Sequence, residues 1–273
     1  MQLAGKVAVI TGGASGIGKG TALAMARHGT EIVIADINDR RLDETRAEIA
    51  ALGRRAIAVH CDVSKDADIE YLAKVALLEM GRVDILMNNA GVVLRGALEQ
   101  ILIADWEWSF GINVLGVIRG IRAFLPHMIE RGSGYIINTG SIAGLIALTG
   151  EGAPYIASKF AVVGLSEALA LYARPKGIGV SVLCPGAVDT HLDETERVIG
   201  MTPERAEVEA KESGVFHSLV MTPDQVGEAV VEAVRQNRFF VLPDYQQQSV
   251  ILKRTQDLDA FLEARLTAPL LPE

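Results

Sequence analysis

The chain has 273 residues, 49 % of them apolar and 22 % charged, the proportions of a folded globular domain rather than of a disordered segment. Thirty-four acidic residues against 26 basic ones give a formal net charge of -8 with no block of five like charges, which argues against a nucleic-acid binder tracking phosphates. Cys61 and Cys184 are far apart and lack a CxxC partner, so neither a disulfide framework nor a cysteine zinc site is expected, and no metal is called for. The first thirteen residues carry no basic-then-apolar leader, and Arg119 and Arg122 interrupt the most apolar stretch before about 18 apolar residues accumulate. The expectation is a cytoplasmic protein with no membrane partner.

Taken in chain order, seven short β-branched runs read as strands: residues 6–11, 31–35, 55–60, 84–88, 134–138, 178–184 and 239–242. Between them lie amphipathic stretches, such as Leu42, Ile49 and Leu52, or Ile69, Leu72, Val75 and Leu78, that read as crossover helices. Long helices are expected around residues 105–131 and 153–173. Strand and helix alternating from the start imply an α/β fold, a Rossmann-type doubly wound parallel seven-stranded sheet in a single domain. Residues 190–221 are charged, show little strand character and follow a strand that should end at the ligand crevice, so they are predicted to form a lid. Residues 244–273 form a C-terminal extension containing an amphipathic stretch at 250–266.

The run Thr11-Gly12-Gly13-Ala14-Ser15-Gly16-Ile17-Gly18 closes the first strand and opens the first helix. Glycines there permit a tight turn and close backbone approach, and the free N–H groups of the helix start can face a pyrophosphate. Asp36, eighteen residues beyond Gly18, stands where a carboxylate can accept hydrogen bonds from the adenosine ribose. A 2'-phosphate would bring like charge against it, a repulsion of at least about 1 kcal/mol in water-like surroundings. Arg40 and Arg41 read as the solvated first turn of a helix, so the predicted cofactor is NAD.

With these motifs in place the chain resembles the short-chain dehydrogenase/reductases. The resemblance runs from about residue 4 to residue 190. It rests on Thr11, Gly12, Gly16 and Gly18, on the pair Asp62 and Val63, on Asn88-Asn89-Ala90-Gly91, on Asn113, Ser141 and Tyr155-x-x-x-Lys159, and on Pro185-Gly186. It implies adenine contacts at Asp62 and Val63, cofactor contacts at Asn89, Ala90, Gly91, Pro185, Gly186, Val188 and Thr190, and a lysine that also holds the nicotinamide ribose. Ser141 would hydrogen-bond the reacting oxygen and Asn113 would anchor a water that relays protons through Lys159. One departure stands out: fourteen residues separate Ser141 from Tyr155 where thirteen are more usual, which places an extra residue within 149–154.

The residues themselves give Tyr155 and Lys159 a chemistry. Four apart on a helix, they share a face. An ammonium roughly 4 Å from the phenol, at an effective dielectric near 20, lowers a pKa of about 10 by about three units. The plain alternatives are an exposed Tyr–Lys pair, a helix cap for Ser141 and a local backbone bond for Asn113. His60, His127, His191 and His217 lack metal-ligand spacing, and Trp106 and Trp108 suit packing. The reading is an NAD-dependent enzyme moving a hydride between the cofactor and a secondary alcohol or ketone. An NADPH-dependent ketoreductase and a catalytically silent nucleotide-binding regulator are the competing readings. The apolar segments 92–94 and 142–148, with the lid, predict a bulky apolar substrate, while Arg95 is expected to be an exposed loop residue. The resemblance further implies a homodimer, or a homotetramer, paired through the two long helices.

Overall fold

The computed structural model describes residues 1–202, 220–244 and 246–267. Strand β1 (Val7–Thr11) is buried along its whole length and β2 (Glu31–Asp36) at four of six positions, the pattern of strands covered on both faces. Side-chain alternation then sorts each strand between two cores. Ala8, Ile10, Ile32 and Ile34 face α1 (Gly16–Arg27), whereas Val9, Val33 and Ala35 face the opposite side. With β3 (Ala56–His60), β4 (Ile85–Asn88), β6 (Gly134–Thr139), β7 (Ile178–Leu183) and β9 (Phe240–Val241), they form one parallel sheet in the order β3-β2-β1-β4-β6-β7-β9. The order reverses between β1 and β4, and at such a switch point the loops leaving the strand ends part to form a crevice.

Helix α2 (Asp39–Ala51) and helix α7 (Pro223–Gln236) join α1 on one face; α3 (Asp66–Met80), α5 (Leu115–Arg131) and α6 (Ala153–Ala173) cover the other. Helices α1 and α7 touch backbone to backbone. A Cβ at Gly20 would lie 2.3 Å from the Pro223 carbonyl oxygen, and one at Gly227 would lie 2.6 Å from that of Gly20. Beneath the strand starts, buried Asp84 accepts from the Val7 amide (3.0 Å) and pairs with Arg82. That contact fixes β1 against β4 before either reaches the crevice.

Several elements differ from expectation, each for a local reason. The predicted helix around 105–131 is two helices, α4 (Ile103–Asn113) and α5, broken at Val114. In α3, Ile69 and Leu72 are buried but Leu78 is 72 % exposed. Three steps of three residues turn 180° on a helix with 3.6 residues per turn, so Leu78 faces away from Ile69. Leu52 lies beyond the end of α2 and is also exposed. The charged stretch 190–221 contains a strand after all: β8 (Arg197–Ile199) pairs in parallel with β5 (Leu94–Gly96) to form a second, two-stranded sheet. Residues 203–219 of that stretch, His217 among them, lie outside the described residues.

The amphipathic stretch 250–266 is likewise two helices, α8 (Gln246–Gln256) and α9 (Leu258–Thr267), divided where the Asp257 carboxylate accepts from the Ala260 amide at 2.9 Å. Val250 and Phe261 pack on Ile142 and Ile146, so the extension covers the segment that follows the predicted catalytic serine. Residues 103–131 and 153–176 are long and apolar enough to cross a membrane by length and composition alone. In this fold the first is broken at Val114, and the second lays Val162, Leu169 and Ala173 against the sheet.

Candidate active site

The carboxyl ends of the central strands open into a cavity of about 720 Å³. At one end lies the turn between β1 and α1. Gly12 and Gly16 adopt positive φ (62° and 49°), and a Cβ on Gly18 would stand 2.0 Å from the Gly12 carbonyl oxygen. The loop therefore folds back on the first turn of α1, a turn without an acidic residue, and leaves the amino end of the helix facing the cavity. Asn89 fastens the arrangement from β4: its Nδ2 donates to the carbonyls of Thr11 (3.1 Å) and Gly12 (3.2 Å), while its Oδ1 accepts from Thr139 Oγ1 (3.2 Å).

Asp36 closes the far end of the cavity. Its carboxylate accepts from the amides of Ala14 (3.2 Å) and Asn38 (3.1 Å), so it is held in place by backbone. Asp62 stands on the neighbouring strand end, and hydrogen bonds from the Ser64 amide and hydroxyl hold its carboxyl below the ordinary range against the opposing effect of burial. Val63, Ala90 and Gly91 lie along the same wall.

At the other end the cavity meets Ser141, Tyr155 and Lys159. Ser141 follows β6 with its Oγ accepting from the Ala143 amide (3.1 Å), and the same side chain bears on the Tyr155 phenol, opposing the rise that burial imposes on it. Cap and site contact thus coexist in one hydroxyl. Lys159 is 4 % exposed, donates to the Thr139 carbonyl (3.0 Å) and stands 5.5 Å from the centre of the Tyr155 ring. Burial pulls its pKa down to about 8. Burial likewise raises the Tyr155 pKa, with Ser141 opposing. At this depth desolvation disfavours ammonium and phenolate alike, and so works against the pull that the Lys159 charge exerts on the phenol. Cys184, fully buried beside them, has its thiol pushed up to about 12 by the same cause.

Asn113 does not line the cavity. It ends α4, where the helix break frees its side chain to accept from the Val92 amide (2.9 Å) and donate to the Val92 carbonyl and Ser158 Oγ (both 3.0 Å). Ser158 in turn donates to the Tyr155 carbonyl at 2.7 Å. Asn113 is thus wired to the turn that carries the tyrosine through Ser158, a residue that sequence reasoning passed over although it lies one position before the lysine. A Cβ on Gly91 would sit 3.2 Å from Asn113 Oδ1 and 3.5 Å from Lys159 Nζ, which places all three at one point.

Of the other predicted contacts, Ser15, Ile17, Pro185, Gly186, Val188 and Thr190 line the cavity, and Gly18 lies behind Gly12. Three expectations are overturned. Ile142 and Ile146 point away from the cavity into the core beneath α8. Arg95 is 12 % exposed and grips Glu196 with two nitrogens (2.6 and 3.1 Å). Arg41 is not a free surface charge but lines the cavity, paired with Glu194. Sequence gave no signal for these ion pairs, because their partners lie more than a hundred residues away. Among the described residues no three His, Cys, Asp or Glu side chains converge as a metal site would require.

The chain belongs to the short-chain dehydrogenase family, whose model matches residues 6–198. An uncharacterised oxidoreductase of Listeria monocytogenes is 35 % identical over 254 residues, covering 90 % of this chain and 99 % of that protein. A CLA biosynthesis dehydrogenase/reductase of Lactiplantibacillus plantarum is 34 % identical, covering 88 % of this chain and 89 % of its own. The crystal structure of a short-chain dehydrogenase/reductase from Burkholderia phymatum in complex with NAD superposes with a TM-score of 0.88 at 33 % identity, covering 100 % of this chain and 99 % of that one. The protein is an oxidoreductase of this type with a site for a nicotinamide cofactor.

Proposed function

We propose that the protein is an NAD-dependent alcohol dehydrogenase or ketone reductase acting on a bulky, mainly apolar secondary alcohol or its ketone. The observation that carries the reading is one cavity with Asp36 at one end and Ser141, Tyr155 and Lys159 at the other. The glycine turn and the amino end of α1 would hold the pyrophosphate, Asp36 the adenosine ribose, and Asp62 and Val63 the adenine. Pro185, Gly186, Val188 and Thr190 would border the nicotinamide. When bound, the cofactor supplies the hydride acceptor for oxidation or the donor for reduction, and a positive ring in its oxidised form.

Ser141 Oγ holds the substrate oxygen in this reading, and Tyr155 Oη accepts the alcohol proton during oxidation or returns it during reduction. Lys159 keeps the phenol poised, and the chain from Asn113 through Ser158 fixes the turn on which Tyr155 stands. Val92, Ile112, Ala187 and Val220 give the cavity its apolar wall. Each Å² of apolar substrate surface buried there contributes about 25 cal/mol, which small polyols cannot use. The exposed Leu115, Leu171 and Tyr172 on α5 and α6 support a homodimer paired through those helices, and two free, buried cysteines suit a reducing cytoplasm.

The test is a matched panel of cyclic apolar alcohols and sugar alcohols assayed with NAD and with NADP. Higher kcat/KM for the apolar set with NAD is the expected result. Preference for the sugar alcohols rejects the substrate class, and equal use of both cofactors rejects the role given to Asp36.

A further inference from the structure

The mouth of the cofactor cleft is bridged beside Asp36. Arg41, on the first turn of α2, donates through Nη1 to Glu194 Oε2 at 2.9 Å and through Nη2 to Glu194 Oε1 at 2.8 Å. The two partners stand 153 residues apart in the chain. Both line the same cavity as Asp36, and the pair is partly screened, the Arg41 side chain being 20 % and the Glu194 side chain 49 % exposed. Glu194 sits in a short 3₁₀ turn (Leu192–Thr195), held in place by the parallel bridge from Val188 to Met221 on one side and by β8 on the other. His191 Nδ1 lies 3.1 Å from the same carboxylate. The guanidinium is the cationic group nearest in sequence to the Asp36 carboxylate that also lines the cleft.

A free arginine at this place would undo what Asp36 does. Its planar fork matches a phosphate as well as it matches a carboxylate, so a 2'-phosphate repelled by Asp36 could be recovered by Arg41. We infer that Glu194 is a cofactor-selecting residue that acts by occupying both terminal nitrogens of Arg41 and so denies the adenosine 2' position its cation. The inference rests on the proposed preference for NAD and adds a second acidic selector, supplied by the segment that covers the cleft. NADP would then have to displace Glu194 as well as overcome Asp36, whereas NAD needs neither.

Fluorescence titration with NADH and NADPH tests this without any knowledge of the substrate. Wild type, Glu194→Gln, Arg41→Ala and the double variant are compared by the ratio of the two dissociation constants, so a partly inactive preparation cancels out. Glu194→Gln should shift the ratio towards NADPH about tenfold, the size of one charge-assisted hydrogen bond. The shift should disappear in the double variant and weaken as salt is raised, as a phosphate contact requires. An unchanged ratio in Glu194→Gln overturns the inference. So does a shift that survives Arg41→Ala, which would mean plain repulsion by Glu194, and so does equal weakening of both cofactors, which would make the pair a simple closure. Wild type binding both cofactors equally would instead reject the preference assigned to Asp36, and the variant-to-wild-type comparison would still decide the role of Glu194.

Discussion

The two ends of the cavity are held by different means. At the end proposed for adenosine most groups that face the cleft are fixed by backbone, Asp36 by two amides, the glycine turn by its own folded-back chain, Asn89 by the carbonyls of Thr11 and Gly12, and the Arg41–Glu194 pair is the exception. Around β5 and β8, and between α9 and the segment after β6, parts distant in sequence are clamped by side chains. Arg95 holds Glu196, the guanidinium of Arg197 lies 3.7 Å over the Trp108 ring and near Asp105, and Arg265 reaches the Leu148 carbonyl from α9. Backbone fastening follows from the fold common to the family, whereas side-chain clamps can change one residue at a time. A protein of this design can keep its cofactor site while remaking its substrate pocket.

The strongest test of that division is a substitution confined to one end. Tyr155→Phe removes a single hydroxyl at the reacting end and no group that faces the glycine turn. Turnover should fall at least about a hundredfold, the usual size of a general acid–base contribution, with the NADH dissociation constant changed by less than a factor of about two. A variant that keeps a tenth of wild-type kcat shows that Tyr155 is not the proton acceptor.

Lys159 stands where the two ends meet, and its burial gives a prediction about stability. Its folded pKa, about 8, lies below the ordinary lysine value of 10.5, so between those values the unfolded chain binds more protons than the folded one and stability rises with pH. Below pH 8 the cofactor-free protein carries the full cost of a buried ammonium, about 3 kcal/mol for such a shift. Lys159→Met should therefore raise the Tm of the cofactor-free protein at pH 7, by an amount that shrinks towards pH 10, while lowering turnover and weakening NADH. Thermal scans across that range check the sign. A variant less stable than wild type at pH 7 would mean that the bond from Lys159 to the Thr139 carbonyl outweighs desolvation.

The same contrast explains what the sequence disclosed. The seven-stranded sheet was legible because each strand is a short apolar run and each glycine turn has a local steric cause, as at Gly12, Gly16 and Gly18. Tyr155 and Lys159 were legible because helical spacing alone puts them on one face. Strand β8 was hidden: Arg197, Val198 and Ile199 have a partner only because Leu94–Gly96 lies beside them in space. Arg41 and Arg95 looked like solvated charges for the same reason, their acids being 153 and 101 residues away. The break at Val114 was missed because the residues around it continue the helical pattern, and what the break provides is tertiary, the freedom of Asn113 to reach Val92 and Ser158.

The smallest expected effect concerns the clamp between β5 and β8, and it separates the two ends most finely. Arg95 and Glu196 are 12 % and 25 % exposed, so their pairing is partly screened and contributes about 1 kcal/mol rather than the larger value of a fully buried pair. That energy holds β8 against β5, and with it one wall beside Val92. If the wall closes only in part of the population, the apparent substrate affinity falls in proportion to the closed fraction. Glu196→Gln and Arg95→Met should each raise KM about fivefold and leave kcat within a factor of about two, since no reacting group moves. NADH binding should hardly change, because Asp36 and the glycine turn owe nothing to this clamp. Raising the salt concentration should bring wild-type KM towards that of the variants. If the NADH dissociation constant rises by the same factor as KM, residues 190–200 close over both ends as one body, and the division between a backbone-held and a side-chain-held half does not extend to that segment.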